Sequence, residues 1–140
     1  MDIQDCIRFA RQNPHCYLAT SVGNQPHVRC VGLWFADESG FYFQSATAKE
    51  FPEELRNNPN TEVCFYHHQG TIGTMLRVAG AIEFLDSTEL RERVMRDRPF
   101  LRSIGIDETS DRLVFFRIPH GKAHFWTMAV NLEPKDYIPF

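Results

Sequence analysis

Phe43-Gln-Ser-Ala-Thr-Ala-Lys49 is the stretch that decides the fold: a strand that runs out into small polar residues and then into the start of a helix. Phe41, Tyr42 and Phe43 suit a pleated, buried surface, whereas beyond Thr47 the apolar residues Phe51 and Leu55 fall four apart. Asn57-Asn58-Pro59 stops that helix. Free N–H groups at its start, the Ser45 and Thr47 hydroxyls and the Lys49 ammonium form a donor set suited to a phosphomonoester. A plainer reading uses the same residues, with Thr47 as the N-cap and Lys49 as a solvated charge.

Upstream, Ile3, Cys6, Ile7 and Ala10 have helical spacing, and Asn13-Pro14 ends the segment. His15 to Ser21 reads as a strand, Val22-Gly-Asn-Gln25 as a hairpin turn, and Pro26 to Phe35 as a second strand. In it His27, Arg29, Val31, Leu33 and Phe35 share one face, and Val28, Cys30, Gly32 and Trp34 the other. Both faces are largely apolar, so the strand is expected to be covered on both sides, and Arg29 then needs an anionic or hydrogen-bonding partner. Downstream, strands are expected at Thr61 to His67, Thr74 to Leu85, Leu113 to Ile118 and Lys122 to Met128, with a helix over Ser87 to Arg96. About seven strands with short turns and small helices predict a mainly β, antiparallel, closed or nearly closed barrel. No linker or repeat stands out, so residues 1–140 are expected to form one domain.

The net charge of −3 argues against a nucleic-acid binder, which needs an excess of Lys and Arg to replace phosphate counterions. No stretch approaches the roughly 20 apolar residues of a membrane span, and the N-terminal residues mix charge among apolar positions unlike a signal peptide. A cytoplasmic location, away from membranes, is the resulting expectation. The four cysteines show no CxxC spacing and read as reduced structural thiols. Twelve Phe supply either a bulky core or a broad subunit interface.

Leu18-Ala-Thr20, Pro26-His-Val-Arg29, Phe41-Tyr-Phe43 with Ser45 and Lys49, Asn58-Pro59 and Leu76-Arg-Val-Ala-Gly80 occur in an order that resembles the pyridoxamine 5′-phosphate oxidase-like flavoproteins. The resemblance spans about Asn13 to Asp86 and is weaker beyond. It implies a split β-barrel of antiparallel Greek-key type and a homodimer with FMN at the subunit interface. Carried over by position, it assigns cofactor contacts to His27, Arg29, Cys30, Val31, Gln44, Ser45, Thr47 and Lys49, to Arg77, and to Trp126 from the partner subunit. His27 reads equally as a satisfied strand histidine, and Trp126 as ordinary core. The namesake reaction is not expected: the oxidase's substrate lysine is Trp34 here, and although Arg98-Pro99 is present, its flanking positions are Val94 and Arg102. The implied function is that of an FMN-dependent oxidoreductase passing hydride or electrons to a small organic acceptor, with no catalytic acid or base assigned.

Deazaflavin fits the same fold, and a surface His could ligate haem. A non-catalytic flavin- or haem-binding module, sensing redox state or handling cofactor, is the alternative function. Zinc is not expected, because His67-His68 point to opposite faces of a strand and no Cys/His set has ligand spacing.

Overall fold

In the computed structural model, which describes residues 1–140, helix α1 (Ile3–Gln12) is followed by strands β1 (His15–Val22), β2 (Gln25–Gly32), β3 (Phe35–Asp37) and β4 (Gly40–Ala46). Helix α2 (Glu50–Asn57), β5 (Asn60–His67), β6 (Thr74–Ala81), β7 (Glu83–Leu85) and α3 (Thr88–Asp97) come next. A 3-10 turn over Pro99–Ile104 precedes β8 (Leu113–Ile118), β9 (Gly121–Trp126) and the short β10 (Ile138–Pro139). The strands form two antiparallel sheets, one in the order β10-β9-β6-β5-β1-β2 and one in the order β3-β4-β8-β7. This is the mainly β split-barrel class expected from the sequence.

There are ten strands rather than about seven, and the sheets do not close into a ring. Two stretches read as single strands each break and pass from one sheet to the other. The first breaks at Leu33-Trp34, where the Leu33 N–H donates to the Pro14 carbonyl at 2.8 Å and the Trp34 N–H to that of Tyr42 at 2.9 Å. The second breaks at Ile82, whose N–H donates to the Pro59 carbonyl at 2.8 Å. Side-chain alternation continues through Ile82, whereas it slips at Leu33-Trp34, where Leu33 and Ala36 both enter the core; because residues 33–36 are all apolar, the sequence pattern does not reveal either break. The third extra strand, β10, returns the tail to the edge at β9.

The core lies between the sheets. Leu18, Val63, Phe65, Leu76 and Val78 face Phe41, Phe43, Phe116 and Ile118, while α1 adds Cys6, Ile7 and Ala10 and α2 adds Phe51 and Leu55. Phe43 and Phe116 stack with centroids 5.4 Å apart, and Phe51 meets Phe116 edge-on at 6.1 Å. A second cluster of Val94, Met95, Leu101, Ile106, Leu113 and Phe115 covers the other face of the four-stranded sheet, which explains the unbroken apolar run from Leu113 to Phe116.

The six-stranded sheet is different. Its inner face is core, but its outer face has no covering layer over β1 and β2: Tyr17 is 51% exposed and Val28 70%. The expectation that both faces of β2 are covered is corrected here, because β2 is an edge strand and the chain supplies nothing to pack on Val28 and Cys30. Cys30 is correspondingly an exposed thiol, whereas Cys6 and Cys16 are buried and held well above the ordinary thiol pKa, at about 11 and about 12, chiefly by burial. At the β1–β2 turn Gly23 takes φ +58°, a left-handed conformation that favours glycine.

Candidate functional site

Helix α2 begins two residues later than a Thr47 cap would place it. The Thr47 N–H is tied to the Arg112 carbonyl at 2.9 Å and the Lys49 N–H to that of Ala46 at 3.1 Å, so residues 46–49 form a turn and Lys49 becomes the N-cap. Thr47 is therefore no cap; it is exposed. No side chain caps α2, so its first N–H groups donate to no capping side chain. The turn brings Lys49 beside Ser45 at the end of β4.

A cleft of about 510 Å³ opens at this point, between β2, β4, the start of α2 and the 3-10 turn after α3. Among its lining residues are Arg29, Cys30, Val31, Gln44, Ser45 and Lys49. Six of the ten residues assigned from sequence thus converge in one place. Ser45 is 4% exposed, and its Oγ has no hydrogen-bond partner. Buried hydroxyls are nearly always paired, so an orphan beside a cation and an uncapped helix start suits a ligand oxygen. The residues present accordingly fit a phosphate-bearing cofactor. Phe100 and Ile104, both more than half exposed, provide an apolar wall on which a flat ring system can lie.

Arg29 has the partners that its position demanded, and they come from within the chain. Its guanidinium donates to Thr20 Oγ1 at 2.8 Å and the Leu18 carbonyl at 3.3 Å through one terminal nitrogen, and to Glu54 Oε2 at 2.9 Å through the other. Thr20 Oγ1 also donates to Glu54 Oε2 at 2.8 Å, and this bond, then Arg29 and His27, holds the Glu54 carboxyl below its ordinary pKa. His27 is exposed and does not line the cleft.

Arg98 is the residue the sequence reading left out of the site. It lines the cleft from the end of α3, donating to Gln44 Oε1 at 3.1 Å and towards the Leu33 carbonyl at 3.4 Å, with no carboxylate in reach of an ion pair. Burial lowers its pKa from the ordinary arginine value. The Arg98-Pro99 pair was the available signal, since proline ends α3 and fixes where this arginine sits.

Arg77 and Trp126 are elsewhere. Both lie on the outer face of the six-stranded sheet, Arg77 in an ion pair with Glu62 and Trp126 opposite Met75, donating through Nε1 to Asn131 at 3.0 Å. One chain does not bring them to the cleft. A second cleft of about 520 Å³ lies by α1, but its charged side chains are paired, Arg8 with Asp5, and His67 bonds to Asn13. No group of three or more His, Cys, Asp and Glu side chains is placed to hold a metal ion, and no helix is long and apolar enough to cross a membrane.

The positions that would define the namesake oxidase are occupied by structural residues. Trp34 donates to Asp97 at 2.9 Å and packs on Phe35, Val94 is fully buried, and Arg102 pairs with Glu108 at 3.0 Å. A sequence model described as pyridoxamine 5′-phosphate oxidase matches residues 3–124. No curated protein matches the chain. Among solved structures, a NimC/NimA family protein from Clostridium acetobutylicum superposes with a TM-score of 0.81 at 20% identity, over 98% of this chain and 92% of that one. General stress protein 26 from Bacillus anthracis gives 0.76 at 14% identity over the whole of both chains. A FAD-binding protein from Mesorhizobium loti gives 0.69 at 24% identity, over 89% of this chain and 92% of that one. At these identities the likeness is one of fold.

Proposed function

The chain belongs to the pyridoxamine 5′-phosphate oxidase family, outside the true oxidases, and from that premise we propose that it binds FMN and acts as an oxidoreductase on a small organic acceptor. The observation that carries the reading is the orphan Ser45 hydroxyl, buried in a cleft between Lys49, Arg98 and the uncapped start of α2. Ser45 and Lys49, with Arg29 behind them, would hold the phosphate; Gln44 and the strand through Cys30 and Val31 would border the ring, and Thr47 and His27 would stand at the rim. FMN, when bound, supplies two-electron chemistry that no side chain provides. The protein binds and orients it, keeps a ring face open at the cleft mouth, and sets the charge around it through Arg98. We further propose a homodimer packed through the outer face of the six-stranded sheet, which would bring Arg77 and Trp126 of the partner subunit to the site and cover Tyr17 and Val28.

The test is spectroscopic. FMN added to the purified protein is expected to show a shifted visible band and quenched fluorescence, and a reduced nicotinamide is expected to bleach the band until a nitroaromatic or quinone restores it. Binding without bleaching would leave a flavin module rather than an enzyme. A protein that leaves FMN fluorescence unchanged but develops a Soret band with haem would replace the flavin reading altogether.

A further inference from the structure

The permanent cations lining the cleft are Arg29, Lys49 and Arg98, and the three are not equivalent. Arg98 makes hydrogen bonds only to neutral oxygens. Lys49 is exposed and makes no ion pair. Arg29 alone is already neutralised, and the acid responsible, Glu54, comes from α2, the helix whose start opens the cleft. The pair is largely shielded, with side chains 24% and 15% exposed, so water and salt weaken it less than a surface pair. Phe51 lies under the guanidinium, whose central carbon is 5.4 Å from the ring centroid, and limits its movement.

We propose that Glu54 is a specificity-determining residue for the cleft: a resident counter-ion that competes with the bound phosphate for Arg29. This deepens the FMN reading and rests on it for the identity of the ligand, though not for the competition itself. With Glu54 charged, a phosphate meets the full attraction of Lys49 and Arg98 but only a shared guanidinium at Arg29. The cleft therefore discriminates less between FMN and its dephosphorylated form than its three basic residues suggest. Removing the carboxylate frees one terminal N–H edge of Arg29 for the ligand, and a charge-assisted hydrogen bond of this kind is worth about a tenfold change in affinity or more.

The experiment titrates FMN, riboflavin and inorganic phosphate into the wild-type protein, Glu54→Gln and Glu54→Ala, following flavin fluorescence for the first two ligands and thermal stabilisation for phosphate. Glu54→Gln is expected to bind FMN about tenfold more tightly with riboflavin unchanged, and to gain a larger phosphate-dependent rise in melting temperature. Glu54→Ala, which keeps no amide to hold Thr20, is expected to move in the same direction and serves if the glutamine variant fails to fold. Unchanged or weaker phosphate and FMN binding in the folded variants would overturn the proposal, assigning Glu54 the plain role of anchoring Arg29 and Thr20. If no variant binds flavin but phosphate still binds more tightly to the variants, the counter-ion role stands and the flavin reading falls. A gain for riboflavin equal to that for FMN would also overturn the competition.

Discussion

Ser45 carries the sharpest prediction at the scale of single residues. A buried hydroxyl with no partner costs about 1–3 kcal/mol, so Ser45→Ala is expected to hold or raise the melting temperature while weakening FMN binding by about tenfold, checked by melting and titration of the same preparation. A structural serine would lose stability instead. His124 gives a prediction in pH. It is 6% exposed, with Tyr137 edge-on at 5.4 Å, and burial, then Arg77, lowers its pKa from 6.5. A histidine depressed in the fold takes up its proton more readily when unfolded, so its stabilising contribution is complete above pH 6.5 and is lost as pH falls from there towards the folded value. Melting temperature is expected to drop as pH falls below about 6.5, and His124→Asn to flatten that slope. Ser45 and Lys49 were legible in the sequence because a strand, a small polar turn and a helix start place them together. Arg98 and Glu54 were not, since each reaches the cleft from an element whose approach depends on tertiary packing.

At the scale of elements, the sequence marked most of the helices and strands because apolar spacing and the Asn-Pro and Gly punctuation record them locally. It missed the two sheet crossings because alternation runs unbroken through Ile82 and the all-apolar Leu33-Trp-Phe-Ala36 hides the slip at the other, and it placed the start of α2 at Thr47 because the Arg112 carbonyl that holds the Thr47 N–H is remote in sequence. Phe116 shows how strongly one strand fixes the others: it stacks on Phe43, meets Phe51 and lies 5.9 Å from Phe84, joining β4, α2 and β7. Phe116→Ala is expected to cost about 3–5 kcal/mol in denaturant unfolding, the range for an aromatic removed from a packed core. The capping box of α1, in which Asp2 and Asp5 exchange side-chain and backbone bonds, predicts a smaller loss of about 1 kcal/mol for Asp2→Ala.

For the whole molecule, the open question in the sequence was what covers β2, since the pattern demanded cover and the chain leaves Tyr17 and Val28 exposed. Periodicity identifies an apolar face but not whether its partner belongs to the same chain. If a second copy packs there, Val28→Lys is expected to shift the sedimenting species from dimer to monomer and to weaken flavin binding with it, because Arg77 and Trp126 reach a cleft only across that face. Fluorescence titration of FMN with the purified wild-type protein tests the central claim most directly. The account predicts quenching that saturates at one flavin per chain and weakens in Lys49→Ala; FMN fluorescence that stays constant up to a large excess of protein would contradict it.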